Sequence, residues 1–190
     1  LPRVALVGYT NAGKSSLLNA LCCRNPGLAV LAENKLFATL DPTTRRLSLP
    51  QTSAAPKEVL MTDTVGFIRE LPKPLLEAFR ATLEETREAD LLLLVVDLAD
   101  PDWQSQLEAV HQLLDGLSCD QLRKVVANQI DRCDAAAIET IRTLEPDVIY
   151  LSATEGTGLK GLRNWLEKQF WDDAATPESF TQQRSFPDHG

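Results

Sequence analysis

Short apolar runs rich in β-branched residues alternate with longer amphipathic stretches along the 190 residues of the chain. The runs predict six strands, and the stretches predict five helices. The strands are expected at residues 4–7, 46–49, 59–62, 92–96, 125–127 and 148–151, and the helices at residues 14–23, 75–88, 103–117, 135–144 and 159–170. This alternation is typical of an α/β protein with a mostly parallel sheet.

Two segments refine that architecture. Residues 91–96 read LLLLVV and are apolar at every position, as a central parallel strand must be when helices cover both faces of its sheet. Residues 50–57 are mostly polar and contain two prolines, so they indicate a turn that joins the second and third strands as an antiparallel edge pair. We predict a six-stranded, mostly parallel sheet with helices on both faces.

Two other segments lack regular patterning. Residues 25–44 mix Pro, Gly and polar positions in a long connection, and residues 172–190 are rich in Asp, Ser, Thr, Gln and Pro. The second composition is typical of a flexible tail or linker. The sequence therefore predicts one domain over residues 1–171, followed by a tail over residues 172–190.

The composition limits the classes of partner. Lys and Arg total 19 against 27 Asp and Glu, which gives a formal net charge of −8. That balance argues against direct DNA binding and against attachment to an anionic membrane, and the longest apolar run is far shorter than the ~20 residues of a membrane span. The four cysteines lack metal-ligand spacing and are expected to be free thiols, as in the cytoplasm or an organelle stroma or matrix.

A phosphate-binding loop is predicted directly after the first strand. Residues 8–15 read GYTNAGKS and match the pattern G-x-x-x-x-G-K-S/T, in which backbone N–H groups cradle phosphate oxygens at a helix N-terminus. The lysine places an ammonium against the terminal phosphates, and the serine hydroxyl ligates Mg²⁺. The predicted nucleotide contacts here are Gly8, Tyr9, Thr10, Asn11, Ala12, Gly13, Lys14, Ser15 and Ser16.

A second motif follows the third strand. Asp63, Thr64, Val65 and Gly66 form the sequence DTVG. A carboxylate at a strand end beside a phosphate loop can hold the Mg²⁺ shell through water, and the N–H of Gly66 can donate to a γ-phosphate. The predicted metal ligands so far are therefore Ser15 and Asp63.

Two motifs at later strand ends predict recognition of guanine. The fifth strand leads into Asn128, Gln129, Ile130 and Asp131, and the sixth leads into Ser152, Ala153 and Thr154. The carboxylate of Asp131 can accept from guanine N1–H and from its amino group, a donor pair that adenine lacks. A backbone N–H after the sixth strand can reach guanine O6.

All four motifs stand at the carboxyl ends of predicted strands, where open α/β sheets bind ligands. We therefore predict a P-loop NTPase fold of the small-GTPase type that binds GTP and GDP and hydrolyses GTP with Mg²⁺. Two alternatives stay open: an ATP-using P-loop enzyme, and a module that binds GTP with little or no turnover.

The order of the motifs resembles the HflX family of translation-factor-related GTPases. FATLDPTTRR at residues 37–46 and DTVGFIRELP at residues 63–72 are the most specific part of a match that covers about residues 3–171. The resemblance implies that the first switch contains Phe37, Ala38, Thr39, Leu40 and Asp41, with Thr39 as a further Mg²⁺ ligand and Thr43 and Thr44 as the other candidates. It also implies that the full-length protein associates with the large ribosomal subunit.

The sequence departs from the pattern of the family at one position and from that of many GTPases at another. Gln129 stands where the family has the lysine of N-K-x-D, and Phe67 stands where many GTPases place a water-orienting glutamine. We therefore expect slow hydrolysis supported by Lys14, Asn11 and Gly66. Either a potassium ion held by Asn11 or the ribosome would complete catalysis, although Asn11 could also only stabilise the loop.

Overall fold

The computed structural model describes residues 1–22, 43–49, 57–67, 84 and 86–172. The six strands in these ranges are β1 (Arg3–Val7), β2 (Thr43–Ser48), β3 (Glu58–Asp63), β4 (Leu91–Asp97), β5 (Leu122–Asn128) and β6 (Ile149–Tyr150). The helices with assigned bounds are α1 (Lys14–Cys22), α2 (Trp103–Gly116), α3 (Ala135–Leu144) and α4 (Leu159–Trp171). Within the same ranges, no helix is long and apolar enough to cross a bilayer.

The strands form one sheet in the order β2-β3-β1-β4-β5-β6. Strand β1 pairs in parallel with both β3 and β4, and the parallel ladder continues through β5 to β6. Among the strands that the structure describes, only the β2–β3 pair at the edge is antiparallel. The predicted six-stranded, mostly parallel sheet with an antiparallel edge pair is confirmed.

Strand β4 divides the core into two halves. Leu91, Leu93 and Val95 pack in a cluster that also contains Leu17 of α1 and Leu162 of α4. The alternate residues Leu92, Leu94 and Val96 pack in a second cluster with side chains of α2 and α3. Because successive side chains of a strand point to opposite faces, an all-apolar run is what two helical layers require.

The predicted bounds differ from the structure most at β2 and β5. Strand β5 begins at Leu122 rather than at residue 125, because residues 122–124 pair with residues 91–93 of β4. Strand β2 begins at Thr43 rather than at residue 46, because the polar residues 43–46 pair with residues 60–63 at a solvent-exposed edge. Strand β6 covers only Ile149–Tyr150 of the predicted 148–151. Of the predicted helix 75–88, residues 84 and 86–88 are helical, and the rest lies outside the described residues, as does the tail after residue 172.

Helix α3 has the bounds that the sequence predicts, and a local side-chain cap marks its beginning. The backbone N–H of Ala137 donates to Asp134 Oδ1 at 2.8 Å, and Asp134 itself has extended backbone angles. A carboxylate at this position satisfies one of the N–H groups that the first helical turn leaves without a partner.

We expect Asp134→Ala to lower the free energy of unfolding by about 1 kcal/mol, because alanine leaves that N–H without its side-chain acceptor. Urea denaturation of the chain measures the loss. Asp134→Asn is the matched control, since asparagine caps helices as well as aspartate does and should change stability by only a few tenths of a kcal/mol. Equal losses in both variants would contradict the capping role.

Candidate nucleotide-binding site

The predicted phosphate loop connects β1 to α1 and requires glycine at two positions. A Cβ atom on Gly8 would lie 2.3 Å from the carbonyl oxygen of Val95 in β4. Gly13 has a φ of +88°, and a Cβ there would lie 2.3 Å from Asn128 Nδ2. The loop therefore packs against its neighbours so closely that no side chain fits at either position.

The second motif is fastened to this loop by backbone hydrogen bonds. Thr10 N donates to the carbonyl oxygen of Phe67, and Phe67 N donates to that of Gly8, both at 2.9 Å. Gly66 lies against the loop as well, since a Cβ on it would come within 2.8 Å of Thr10 N. Residues 63–67 and the phosphate loop thus form one packed unit.

Thr64 and Val65, between Asp63 and Gly66, anchor this segment to the core of the sheet. Thr64 and Val65 are fully buried, and Thr64 Oγ1 donates to the carbonyl oxygen of Leu6 at 2.6 Å. This hydrogen bond ties the end of β3 to β1, the strand that carries the phosphate loop. Asp63 is 2% exposed and lies at the end of β3.

Lys14 lies folded over the phosphate loop. Its ammonium donates to the carbonyl oxygen of Tyr9 at 3.0 Å, and the side chain is 6% exposed. Burial lowers the pKa of Lys14 to about 8, an effect that the negative charge of Asp63 partly opposes. A group of phosphates on the loop would favour the protonated form further and raise the pKa again.

The first two predicted magnesium ligands meet in the structure. The Ser15 hydroxyl donates a hydrogen bond to Asp63 Oδ2, so a hydroxyl and a carboxylate stand side by side next to Lys14. Mg²⁺ prefers such oxygen donors and retains several waters when few protein groups bind it. The residues present therefore fit this ion.

The predicted first switch, which comprises Phe37, Ala38, Thr39, Leu40 and Asp41, lies outside the described residues. The other candidate ligands, Thr43 and Thr44, belong to β2, where Thr44 Oγ1 lies 2.8 Å from Thr62 Oγ1 of β3.

Asn128 joins the phosphate loop to the last of the four motifs. Its Nδ2 donates to the carbonyl oxygen of Ala12 at 3.1 Å, and its Oδ1 accepts from the N–H of Ala153 at 3.0 Å. The side chain is 2% exposed. One buried amide thus connects loops that follow β1, β5 and β6, a link that the sequence does not reveal.

The turn after β5 presents the predicted base-binding carboxylate. Gln129 has a φ of +65°, and its carbonyl oxygen accepts from Arg132 N at 2.9 Å and from Cys133 N at 3.1 Å. Ile130 N donates to the carbonyl oxygen of Leu151 at 3.4 Å, which ties the turn to the residue directly after β6. Asp131 is exposed in the middle of this turn.

The turn after β6 is closed by Ser152. Its carbonyl oxygen accepts from Gly156 N at 2.9 Å, and its Oγ accepts from Glu155 N at 3.1 Å. Ala153 N is already engaged by Asn128, whereas Thr154 is exposed. The predicted contact between a backbone N–H of this turn and guanine O6 stays a prediction.

Comparison with known proteins assigns a family to this arrangement. A model of the family described as 50S ribosome-binding GTPase, MMR_HSR1, matches residues 3–129. That range covers β1 to β5 and includes the phosphate loop, the DTVG segment and Asn128. The chain belongs to the 50S ribosome-binding GTPase family. The predicted GTPase domain is confirmed at the level of the family.

Curated relatives agree with the resemblance to HflX. GTPase HflX of Lacrimispora saccharolytica is 48% identical over 88% of this chain and 38% of the relative, and GTPase HflX of Gluconacetobacter diazotrophicus is 49% identical over 86% and 35%. GTPase HflX of Escherichia coli is 41% identical over 92% of this chain and 40% of the relative. The chain therefore spans about two fifths of the length of these relatives.

Solved structures of GTPases share the fold. A variant of Era from Aquifex aeolicus bound to GDP and AlF₄⁻ has a TM-score of 0.66 and 25% identity, over 87% of this chain and 56% of that one. A GTP-binding protein from Sulfolobus solfataricus in complex with GDP has a TM-score of 0.67 and 28% identity, over 88% and 51%. The predicted fold of the small-GTPase type is confirmed.

We expect Asn128→Ala to weaken both the fold and the site, because it leaves the carbonyl of Ala12 and the N–H of Ala153 without their side-chain partner. Each buried polar group without a partner costs about 1–3 kcal/mol. Urea denaturation measures the loss of stability, and titration calorimetry with GDP measures the loss of affinity.

A control separates instability from damage to the site. Leu114 of α2 is fully buried and packs in the second core cluster, so Leu114→Ala should cost about 2–5 kcal/mol of stability while GDP affinity stays unchanged. If Asn128→Ala reduces affinity no more than Leu114→Ala does, Asn128 does not organise the site.

Proposed function

We propose that this domain binds Mg²⁺ and GTP at the edge formed by its four strand-end motifs and hydrolyses GTP to GDP and phosphate. The observation that carries the proposal is the buried amide of Asn128, which links the phosphate loop to the turn after β6. Asn128 also begins the turn that presents Asp131. A phosphate-binding end and a base-binding end thereby belong to one rigid unit.

Each residue of the phosphate end has a definite role in this proposal. Lys14 would neutralise the terminal phosphates, and the N–H of Gly66 would donate to the γ-phosphate. Ser15, Asp63 and Thr39 would hold Mg²⁺, with the carboxylate acting through water. The bound metal supplies positive charge against the phosphate oxygens, while the chain fixes the orientation of the groups around them.

At the other end, Asp131 would select guanine. Its two carboxylate oxygens match the adjacent N–H donors of guanine, and adenine offers no such pair. Excess ATP should consequently fail to displace GDP, and this result would exclude an ATP-using enzyme.

We expect Asp131→Asn to lower GDP affinity roughly 100-fold or more, because charge-assisted hydrogen bonds contribute about 1.5–3 kcal/mol each. The asparagine amide offers one acceptor and one donor, which match the N1–H and C2 carbonyl of xanthine. Affinity for xanthosine diphosphate should therefore rise in the same variant, and competition binding measures both effects.

Asp134→Asn serves as the control for this swap. It makes the same change of charge three residues further along the chain, at the cap of α3, and should leave GDP affinity unchanged. Retention of full GDP affinity by Asp131→Asn would refute the assignment of Asp131 to the base.

Hydrolysis requires a group that residue 67 does not provide. The Phe67 ring is 3% exposed and packs in the core, while its backbone pairs with the phosphate loop. We infer that a potassium ion held by exposed Asn11, or a partner that acts on the switches, completes the catalytic site. The buried ring also favours a second candidate function, a module that binds GTP with little or no turnover alone.

Single-turnover hydrolysis of Mg²⁺·GTP in KCl and in NaCl distinguishes these cases. A cation supplied to the transition state is worth on the order of 10³–10⁵ in rate, so even partial occupancy by potassium should give a faster reaction in KCl. Asn11→Ala should make the two rates equal.

Asn11 has a φ of +67°, so Asn11→Gly provides a variant without a side chain and without backbone strain. Stimulation by KCl that survives both substitutions would refute the potassium role of Asn11. Slow and equal rates in both salts for the wild-type chain would indicate that a partner, and not potassium, completes the catalytic site.

We propose the large ribosomal subunit as that partner, reached through the full-length protein in the cytoplasm or in an organelle stroma or matrix. The description of the family as ribosome-binding supports this proposal. The acidic net charge of −8 indicates that other parts of the full-length protein make most contacts with ribosomal RNA.

A further inference from the structure

One contact beside Asp131 involves a residue that the sequence analysis did not assign to the site. Arg132 Nη1 donates to Gln129 Oε1 at 3.3 Å. Gln129 is the position at which this chain departs from the lysine of its family. The side chain that stands in place of the family lysine therefore accepts a hydrogen bond from a cation three residues further along the same turn.

The backbone of the turn brings these two side chains together. The positive φ of Gln129, together with the hydrogen bonds from Arg132 N and Cys133 N to its carbonyl oxygen, closes residues 129–133 into a compact turn. Asn128 anchors the start of this turn by its contact with Ala12. Gln129 and Arg132 therefore flank Asp131 on a fixed backbone.

Charge around the turn favours a cation at residue 132. Asp97 ends β4 in register with Asn128 of β5, Asp131 lies in the turn that follows, and Asp134 caps α3 directly after it. Burial raises the pKa of Asp97, and the positive charge of Arg132 is among the groups that oppose this rise. The guanidinium thus offsets the negative field of a surface that must accept an anionic nucleotide.

We propose that Arg132 is a positioning residue for the guanine base, acting through its hydrogen bond to Gln129. The inference rests on the proposed function. Gln129 and Arg132 together form one wall of the base site and replace the lysine of the family. A glutamine side chain without this contact would lose rotamer freedom when it packs against a base. The hydrogen bond from Arg132 already restricts the rotamers of Gln129, so less conformational entropy is lost when the base binds.

Planar groups make this replacement chemically reasonable. The amide and the guanidinium are each planar, and guanidinium groups stack on aromatic rings. A lysine combines an apolar stem and a charge in one residue, whereas here Gln129 contributes the stem and Arg132 contributes the charge.

The test is a double-mutant cycle on GDP affinity with Gln129→Ala and Arg132→Ala, measured by calorimetry with Mg²⁺ present. Each single change should raise Kd about 3- to 10-fold, as expected for one exposed hydrogen bond and its packing. The double variant should bind as Gln129→Ala does, because Arg132 acts through Gln129. Losses that multiply, or an Arg132→Ala variant with unchanged affinity, would overturn the proposal.

A variant that restores the lysine of the family at residue 129 provides an independent test of the proposal. Gln129→Lys should make Arg132 dispensable, so that Arg132→Ala in this background changes Kd less than about twofold. An undiminished effect of Arg132→Ala in the Gln129→Lys background would also overturn the proposal.

Two controls exclude trivial explanations. Arg142→Ala removes one positive charge from the exposed Arg142–Glu139 pair of α3 and should leave GDP affinity unchanged. Affinity for inorganic pyrophosphate, which has no base, should also be unchanged in Arg132→Ala. An equal loss for pyrophosphate would assign Arg132 to general electrostatics instead.

The outcome also separates this inference from the proposed function. A wild-type chain that fails to bind GDP would refute the proposed function. A wild-type chain that binds GDP while the two changes act independently would refute only the role of Arg132.

Discussion

The side-chain amide of Asn128 is the interaction on which the geometry of the site depends. An amide carries both donors and an acceptor, so one buried residue can satisfy the carbonyl of Ala12 and the N–H of Ala153 at once. Neither a carboxylate nor an apolar side chain could do so, because each would leave a buried polar group without a partner. Its contact with Gly13 explains why that residue must be glycine: the space for a Cβ is taken by Nδ2.

The amide of Asn128 can bridge these loops only because the parallel strands bring them to the same edge of the sheet. β1 lies between β3 and β4 and is parallel to both, so the phosphate loop and Asp63 emerge side by side. Asp97 at the end of β4 pairs in register with Asn128 at the end of β5. The apolar residues of β4 hold this order through helices on both faces. Packing in the core thereby fixes distances between polar groups that are far apart in the chain.

The sequence predicts the core strands and the motifs well because their signals are local. The all-apolar β4 and the glycine pattern of residues 8–15 each depend on neighbours in the chain. Contacts between distant segments have no such signal: Asn128 lies 116 residues from Ala12, and no periodicity connects them. The polar edge strand β2 begins earlier than predicted for the same reason, since its order comes from pairing with β3 rather than from burial of its own side chains.

The position after the DTVG segment illustrates how the fold constrains catalysis. The Phe67 ring fills part of the second core cluster, and its N–H and carbonyl both bond to the phosphate loop. A glutamine at residue 67 would have to leave that core to orient water, at the expense of a cavity beneath the loop. The residue that stabilises the loop here is therefore unsuited to activate water. Asn11 of the phosphate loop is exposed, whereas Lys14 in the same loop and Asp63 at the end of β3 are buried.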